Sequence, residues 1–140
     1  MATARRAAEH GANVGIIEGG RMGGTCVNVG CVPKKVMWNT AHIAEMLHDS
    51  KDYGFTTGEI SHNWKIIKEK RDAYVKRLNG IYETNLGKAE IKSYRGFAKF
   101  VGPNQVEVNG ETLTADHVLI ATGGVPSLPK IPGVEHCITR

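Results

Sequence analysis

The stretch Gly23-Gly24-Thr25-Cys26-Val27-Asn28-Val29-Gly30-Cys31-Val32-Pro33-Lys34-Lys35 (GGTCVNVGCVPKK, residues 23–35) sets two cysteines five positions apart at the entrance of a helix. In a regular helix that spacing separates the Cα atoms by about 8.6 Å, from the rise and radius of the helix. A disulfide needs less than about 7 Å, so the two residues can join only across a distorted turn. Val29-Gly30 offers one, since glycine lets the backbone fold back, and Pro33 suits the first turn of the regular helix that follows. A thiolate at that entrance feels the helix's partial positive charge and unpaired N–H groups, with Lys34 and Lys35 adding charge nearby. The spacing therefore predicts lowered thiol pKa values and reactive sulfur. Other readings stay open at this point. A zinc site usually shows two closely spaced ligand pairs, and the chain supplies one. A static structural disulfide suits an oxidising compartment, and two free buried cysteines are the plainest alternative.

Working outward, Ala2 to His10 (ATARRAAEH) is rich in helix formers and stops at Gly11, and Asn13 to Glu18 (NVGIIE) predicts a short buried strand. Gly19 to Gly30 holds five glycines in twelve residues and predicts a loop. After Pro33, the residues Val36, Met37, Ala41, Ile43, Ala44 and Leu47 carry a helix to about His48. A polar connector, Asp49 to His62, leads to a cap at Ser61 or Asn63. A long amphipathic helix follows to about Leu86, with Ile67, Tyr74, Leu78, Ile81 and Tyr82 on one face and Gly87 as its stop. Glu90 to Phe100 predicts one strand. Val106 to Val108, Asn109-Gly110 and Thr112 to Leu113 predict a hairpin, the dipeptide supplying the positive φ angles of a tight turn. His117 to Ala121 (HVLIA) predicts a buried strand entering Thr122-Gly123-Gly124, and Pro126 to Pro132 a crossover leaving the domain. The expected fold class is α/β: a parallel sheet with inserted long helices and an antiparallel hairpin layer.

The 140 residues suit one domain, which buries roughly two-thirds of its unfolded surface. The formal charge of +4 is spread out. Lys65, Lys68, Lys70, Arg71, Lys76 and Arg77 fall on the long helix beside Glu69 and Asp72, a solvated face. No basic stripe interleaves with aromatics, which argues against nucleic acid as a partner. No run approaches the ~20 apolar residues of a membrane span, and the N-terminus lacks a secretion signal's layout. Three cysteines without secretory features point to a reducing compartment, where a close pair is more often catalytic or metal-binding than a staple.

The motif at residues 23–35 resembles, without a gap, the active-site signature of the pyridine nucleotide-disulfide oxidoreductases. The likeness extends through VMWNTA (Val36 to Ala41), DYGF (Asp52 to Phe55), EKRDAYVKRLN (Glu69 to Asn79) and HVLIATGG (His117 to Gly124). Lys34 resembles the branch whose members reduce glutathione disulfide, trypanothione or thioredoxin. Trp38-Asn39-Thr40-Ala41 and the helix from Lys68 to Leu86 favour glutathione disulfide among these. The resemblance implies a Rossmann-like FAD-binding domain. It implies that Cys26 attacks the substrate disulfide, that Cys31 lies against the flavin and exchanges electrons with it, and that the two form a redox-active disulfide. It implies that Glu18 binds the FAD ribose, that Thr25 and Lys34 contact the flavin nucleotide and ring edge, that Ala98 touches adenine, and that Thr122 and Gly123 form the returning loop beside FAD. Arg5 and Tyr82 would contact glutathione. NADPH would be the co-substrate, the parent protein a homodimer, and its compartment the cytoplasm, a mitochondrion or a plastid. No metal is implied, and Cys137 matches no redox position.

The same resemblance sets expectations about extent. The family pattern begins with a strand and a GxGxxG turn that precede the helix of Ala2 to His10, so residues 1–140 correspond to a partial FAD-binding domain. The NADPH-binding and interface domains, with the family's catalytic histidine, are not matched here, and none of the six histidines corresponds to that residue. The isolated 140 residues are accordingly expected to lack reductase activity and to bind FAD weakly.

Overall fold

A computed structural model describes residues 1–139 of the chain. Helix α1, Ala2–Glu9, ends as its composition predicts: Gly11 takes φ 82°, and the amides of Gly11 and Ala12 turn back to the carbonyls of Ala8 and Ala7. Strand β1, Gly15–Glu18, follows and pairs in parallel with β2, Lys92–Arg95, in the register Gly15↔Lys92 to Glu18↔Arg95. A parallel pair needs a long crossover. Three helices fill it: α2 (Gly24–Asn28), α3 (Cys31–Asp49) and α4 (Trp64–Lys88). A single 3-10 turn, Ser50–Tyr53, continues α3 into the connector. Helix α4 starts at Asn63, one of the two caps expected, whose side chain accepts from the Ile66 amide at 3.3 Å.

The end of α4 differs from expectation. Gly87 lies inside the helix, and the reversal falls on Glu90, which takes φ 54°. The Ile91 amide donates to Leu86 O and the Glu90 amide to Gly87 O, while the side chains of Leu86 and Ile91 pack together. This is a Schellman ending, fixed by the apolar contact across it rather than by a glycine. Leu86, Ile91 and Met22 form a buried cluster. Ala4 and Ala8 of α1, Val14 and Ile16 near β1, and Tyr82 of α4 pack around it, so the first helix, the parallel pair and the long helix share one core.

The single strand expected from Glu90 to Phe100 is two strands in different sheets. Gly96, at φ 143°, breaks the run after β2, and β3 (Lys99–Gly102) begins a separate antiparallel sheet ordered β3-β4-β5. Strands β4 (Gln105–Val108) and β5 (Glu111–Thr114) form the expected hairpin, with Asn109 and Gly110 at φ 51° and 83°. The Asn109 side chain reaches across to donate to Arg95 O at 2.5 Å, hooking the hairpin onto the end of β2.

A second correction concerns His117 to Ala121. These residues form neither helix nor strand, and Leu119 and Ile120 are 69% and 67% exposed. Branched apolar residues supply strand propensity, but a strand exists only where its backbone groups meet a neighbouring edge. Among the described residues the parallel sheet consists of β1 and β2 alone. The α/β class holds, with a parallel pair, long inserted helices and an antiparallel layer.

Candidate functional site

The cysteine loop is built on two glycines with different duties. Gly23 adopts φ 103°, and a Cβ there would lie 2.7 Å from the Cβ of Val27, which packs down on the turn and is buried. At Gly30 a Cβ would meet Thr25 O at 3.0 Å and Cys26 Cα at 3.3 Å. Both neighbours are backbone, so the close start of α3 against α2 leaves little room for a side chain at position 30. Residues 19–30 are thus more ordered than the expected loop. Cys26 sits on the short helix α2, Val29 ends it, and Cys31 is the first residue of α3.

An asparagine pair locks this loop to α4. Asn28 Nδ2 donates to Gly24 O at 2.9 Å and to Arg21 O and Met22 O at 3.2 Å. Asn79 Nδ2 donates to Met22 O at 2.6 Å and to Asn28 Oδ1 at 3.0 Å. Both residues stand in the sequence only as parts of longer motifs, and nothing in the residue pattern pairs positions 51 apart.

Cys26 and Cys31 both carry free, exposed thiols. The Cys26 thiol is pushed above its ordinary value of 9.0, chiefly by hydrogen bonding with the Cys31 side chain and next by desolvation. The Cys31 backbone N–H works the other way. This corrects the expectation of lowered thiol pKa values for Cys26. The residue lies on a helix of five residues, and its nearest influence is a second thiol competing for the same proton. Cys31, not Cys26, occupies the first turn of the long helix.

Glu18 closes β1. Its Oε1 accepts from the Gly20 amide at 2.9 Å, and its carbonyl accepts from the Gly96 amide at 3.0 Å. The structure so brings Glu18 and the Gly96-Phe97-Ala98 stretch together at the carboxyl ends of two parallel strands, where α/β sheets bind ligands. Thr25 on α2 and Lys34 on α3 are exposed near the cysteines in the chain. Thr122 and Gly123 are not gathered with them: the segment is exposed, Gly123 has open space around it, and among the described residues no hydrogen bond ties it to the site. Tyr82 is half-buried against the core that α1 also covers, whereas Arg5 is exposed and lines a cleft of about 550 Å³ on α1 with Arg6 and Glu9. Cys137 is exposed near the C-terminus. Among the described residues no group of three or more His, Cys, Asp or Glu side chains could hold a metal ion.

A paired-cysteine turn between two helices, beside a strand-end carboxylate in a parallel sheet, invites comparison with known families. The family model described as pyridine nucleotide-disulphide oxidoreductase matches residues 1–140. The chain belongs to this family. Among curated pyridine nucleotide-disulphide oxidoreductases, the glutathione reductase of Schizosaccharomyces pombe is 48% identical over 147 residues, covering 99% of this chain and 32% of that protein. The glutathione reductase of Yarrowia lipolytica is 45% identical over 152 residues, with the same shares covered. The chain thus spans about a third of the length of these curated oxidoreductases.

Proposed function

We propose that these residues are the redox-cysteine part of an NADPH-dependent flavoprotein that reduces glutathione disulfide. The observation that carries the proposal is the placement of Cys26 and Cys31 on the two sides of the Gly30 turn, where Gly30 lies against the Cys26 backbone and both thiols are free and exposed. In the reaction, the Cys26 thiolate attacks one sulfur of glutathione disulfide, and the other glutathione leaves with the electron pair of the broken S–S bond. Cys31, once deprotonated, attacks the Cys26 sulfur, releases the second glutathione and closes a Cys26–Cys31 disulfide. Two glutathione thiols are formed and one protein dithiol is oxidised. NADPH gives up a hydride and solvent a proton, which together restore the dithiol and leave NADP+.

The residues present fit FAD in their chemistry. Only one oxygen of the Glu18 carboxylate is engaged by Gly20, which leaves the other to accept from ribose hydroxyls, and Ala98 follows at the neighbouring strand end. When bound, the flavin would supply the two-electron relay between nicotinamide and the cysteines. In this scheme Thr25 and Lys34 hold the flavin nucleotide and its ring edge, Thr122 and Gly123 close over the cofactor, and Arg5 and Tyr82 contact glutathione. The working protein is a homodimer in a reducing compartment, the cytoplasm or an organelle. No helix among the described residues is long and apolar enough to cross a membrane.

The test uses the whole reading frame that carries these residues, purified with its flavin, and follows NADPH oxidation by glutathione disulfide, with the 140 residues alone assayed in parallel. Turnover is expected for the whole protein and should fall by orders of magnitude in Cys26→Ser and in Cys31→Ser. Normal turnover in either variant refutes the scheme. Faster turnover with trypanothione or thioredoxin would refute glutathione disulfide as the substrate.

A further inference from the structure

Three cations from separate parts of the fold meet at one cleft of about 330 Å³. Arg21 comes from the loop after β1, Lys76 from α4 and Arg95 from the end of β2. Glu83 pairs with Arg95, but among the described residues neither Arg21 nor Lys76 has a carboxylate partner. The charged lining therefore carries a formal excess of two positive charges. Asn79 also lines the cleft. Both hydrogens of its amide are spent on Met22 O and Asn28 Oδ1, so only its carbonyl oxygen is left to offer.

We propose that this cleft binds hydrogen phosphate. Two unpaired cations and a partly free guanidinium suit a small dianion, and arginine forks match its oxygens two at a time. Asn79, a lining residue with both amide hydrogens committed, has only an acceptor to give, which suits the P–OH of hydrogen phosphate and offers nothing to a fully deprotonated oxyanion such as sulfate. The bound ion bridges loop, helix and strand. It thereby tightens the same loop that Asn28 and Asn79 hold in front of Cys26. Exposed ion contacts are individually weak, which puts the dissociation constant on the order of 1 mM.

The test is an amide-resolved titration of the whole perdeuterated protein that carries these residues with inorganic phosphate, at fixed pH and with chloride replacing phosphate to hold ionic strength. Saturating shifts are expected at Gly20, Arg21, Asn79, Gly80 and Arg95. Affinity should fall about fivefold or more in Arg21→Gln and in Lys76→Gln, both exposed substitutions that leave the remaining spectrum intact, and sulfate should bind more weakly than phosphate. Shifts that never saturate, shifts indifferent to both substitutions, or equal affinity for sulfate would each overturn the assignment.

Discussion

Replacing Asn28 by alanine removes the latch between the cysteine loop and α4. The three carbonyls that Asn28 Nδ2 approaches share two hydrogens. Gly24 O at 2.9 Å takes one, and Arg21 O and Met22 O at 3.2 Å divide the other. Asn28 Oδ1 also accepts from Asn79 at 3.0 Å. Three effective bonds at about 1 kcal/mol each set an upper figure of ~3 kcal/mol, and water reaching the partly exposed carbonyls lowers it to ~2 kcal/mol. For a chain of this size that lowers the melting temperature by roughly 6 °C. Urea unfolding followed by Trp38 and Trp64 fluorescence measures the loss. A double-mutant cycle with Asn79→Ala isolates the one direct bond, with an expected coupling of about 1 kcal/mol. Asn28→Asp should be worse than Asn28→Ala, because a carboxylate would face three carbonyl oxygens. A loss below about 0.5 kcal/mol in Asn28→Ala, or a coupling of zero, refutes the latch.

Gly30→Ala should cost about 1 to 3 kcal/mol, since its Cβ meets backbone atoms that cannot rotate away; an unaltered denaturation midpoint would contradict this. Glu90→Gly should stabilise the chain by about 1 kcal/mol by relieving a left-handed residue at the end of α4, and a lower midpoint would show that Glu90 contributes something else. Cys31→Ala removes the main influence holding the Cys26 thiol up, so alkylation of Cys26 by iodoacetamide at pH 8 should accelerate. Asp72 is held below its ordinary value of 3.8 first by a hydrogen bond from Lys68 and then by one from Arg71. Its stabilising contribution is therefore complete above that value and is lost only as pH falls through the lower folded one. Carboxyl NMR titration should find the midpoint below 3.8, moving up in Lys68→Gln.

Local chemistry made much of this protein legible from its residues. Asn63 supplies a cap oxygen, Gly11 a left-handed stop, and Asn109-Gly110 a hairpin turn, each acting within a few residues of its own position. The spacing of Cys26 and Cys31 around Gly30, and the family likeness it carries, belong to the same class of information. Longer-range outcomes needed the fold. α4 runs past Gly87 because Leu86 and Ile91 close on Met22, a contact made through residues more than sixty positions apart. The run from Glu90 to Phe100 divides because its halves find different partner strands. His117 to Ala121 has the composition of a strand but no edge to pair with among the described residues. Propensity, turn chemistry and the Cys26 thiol's acidity are settled by near neighbours in the chain, whereas strand pairing and helix length depend on which distant groups arrive to complete hydrogen bonds and exclude water.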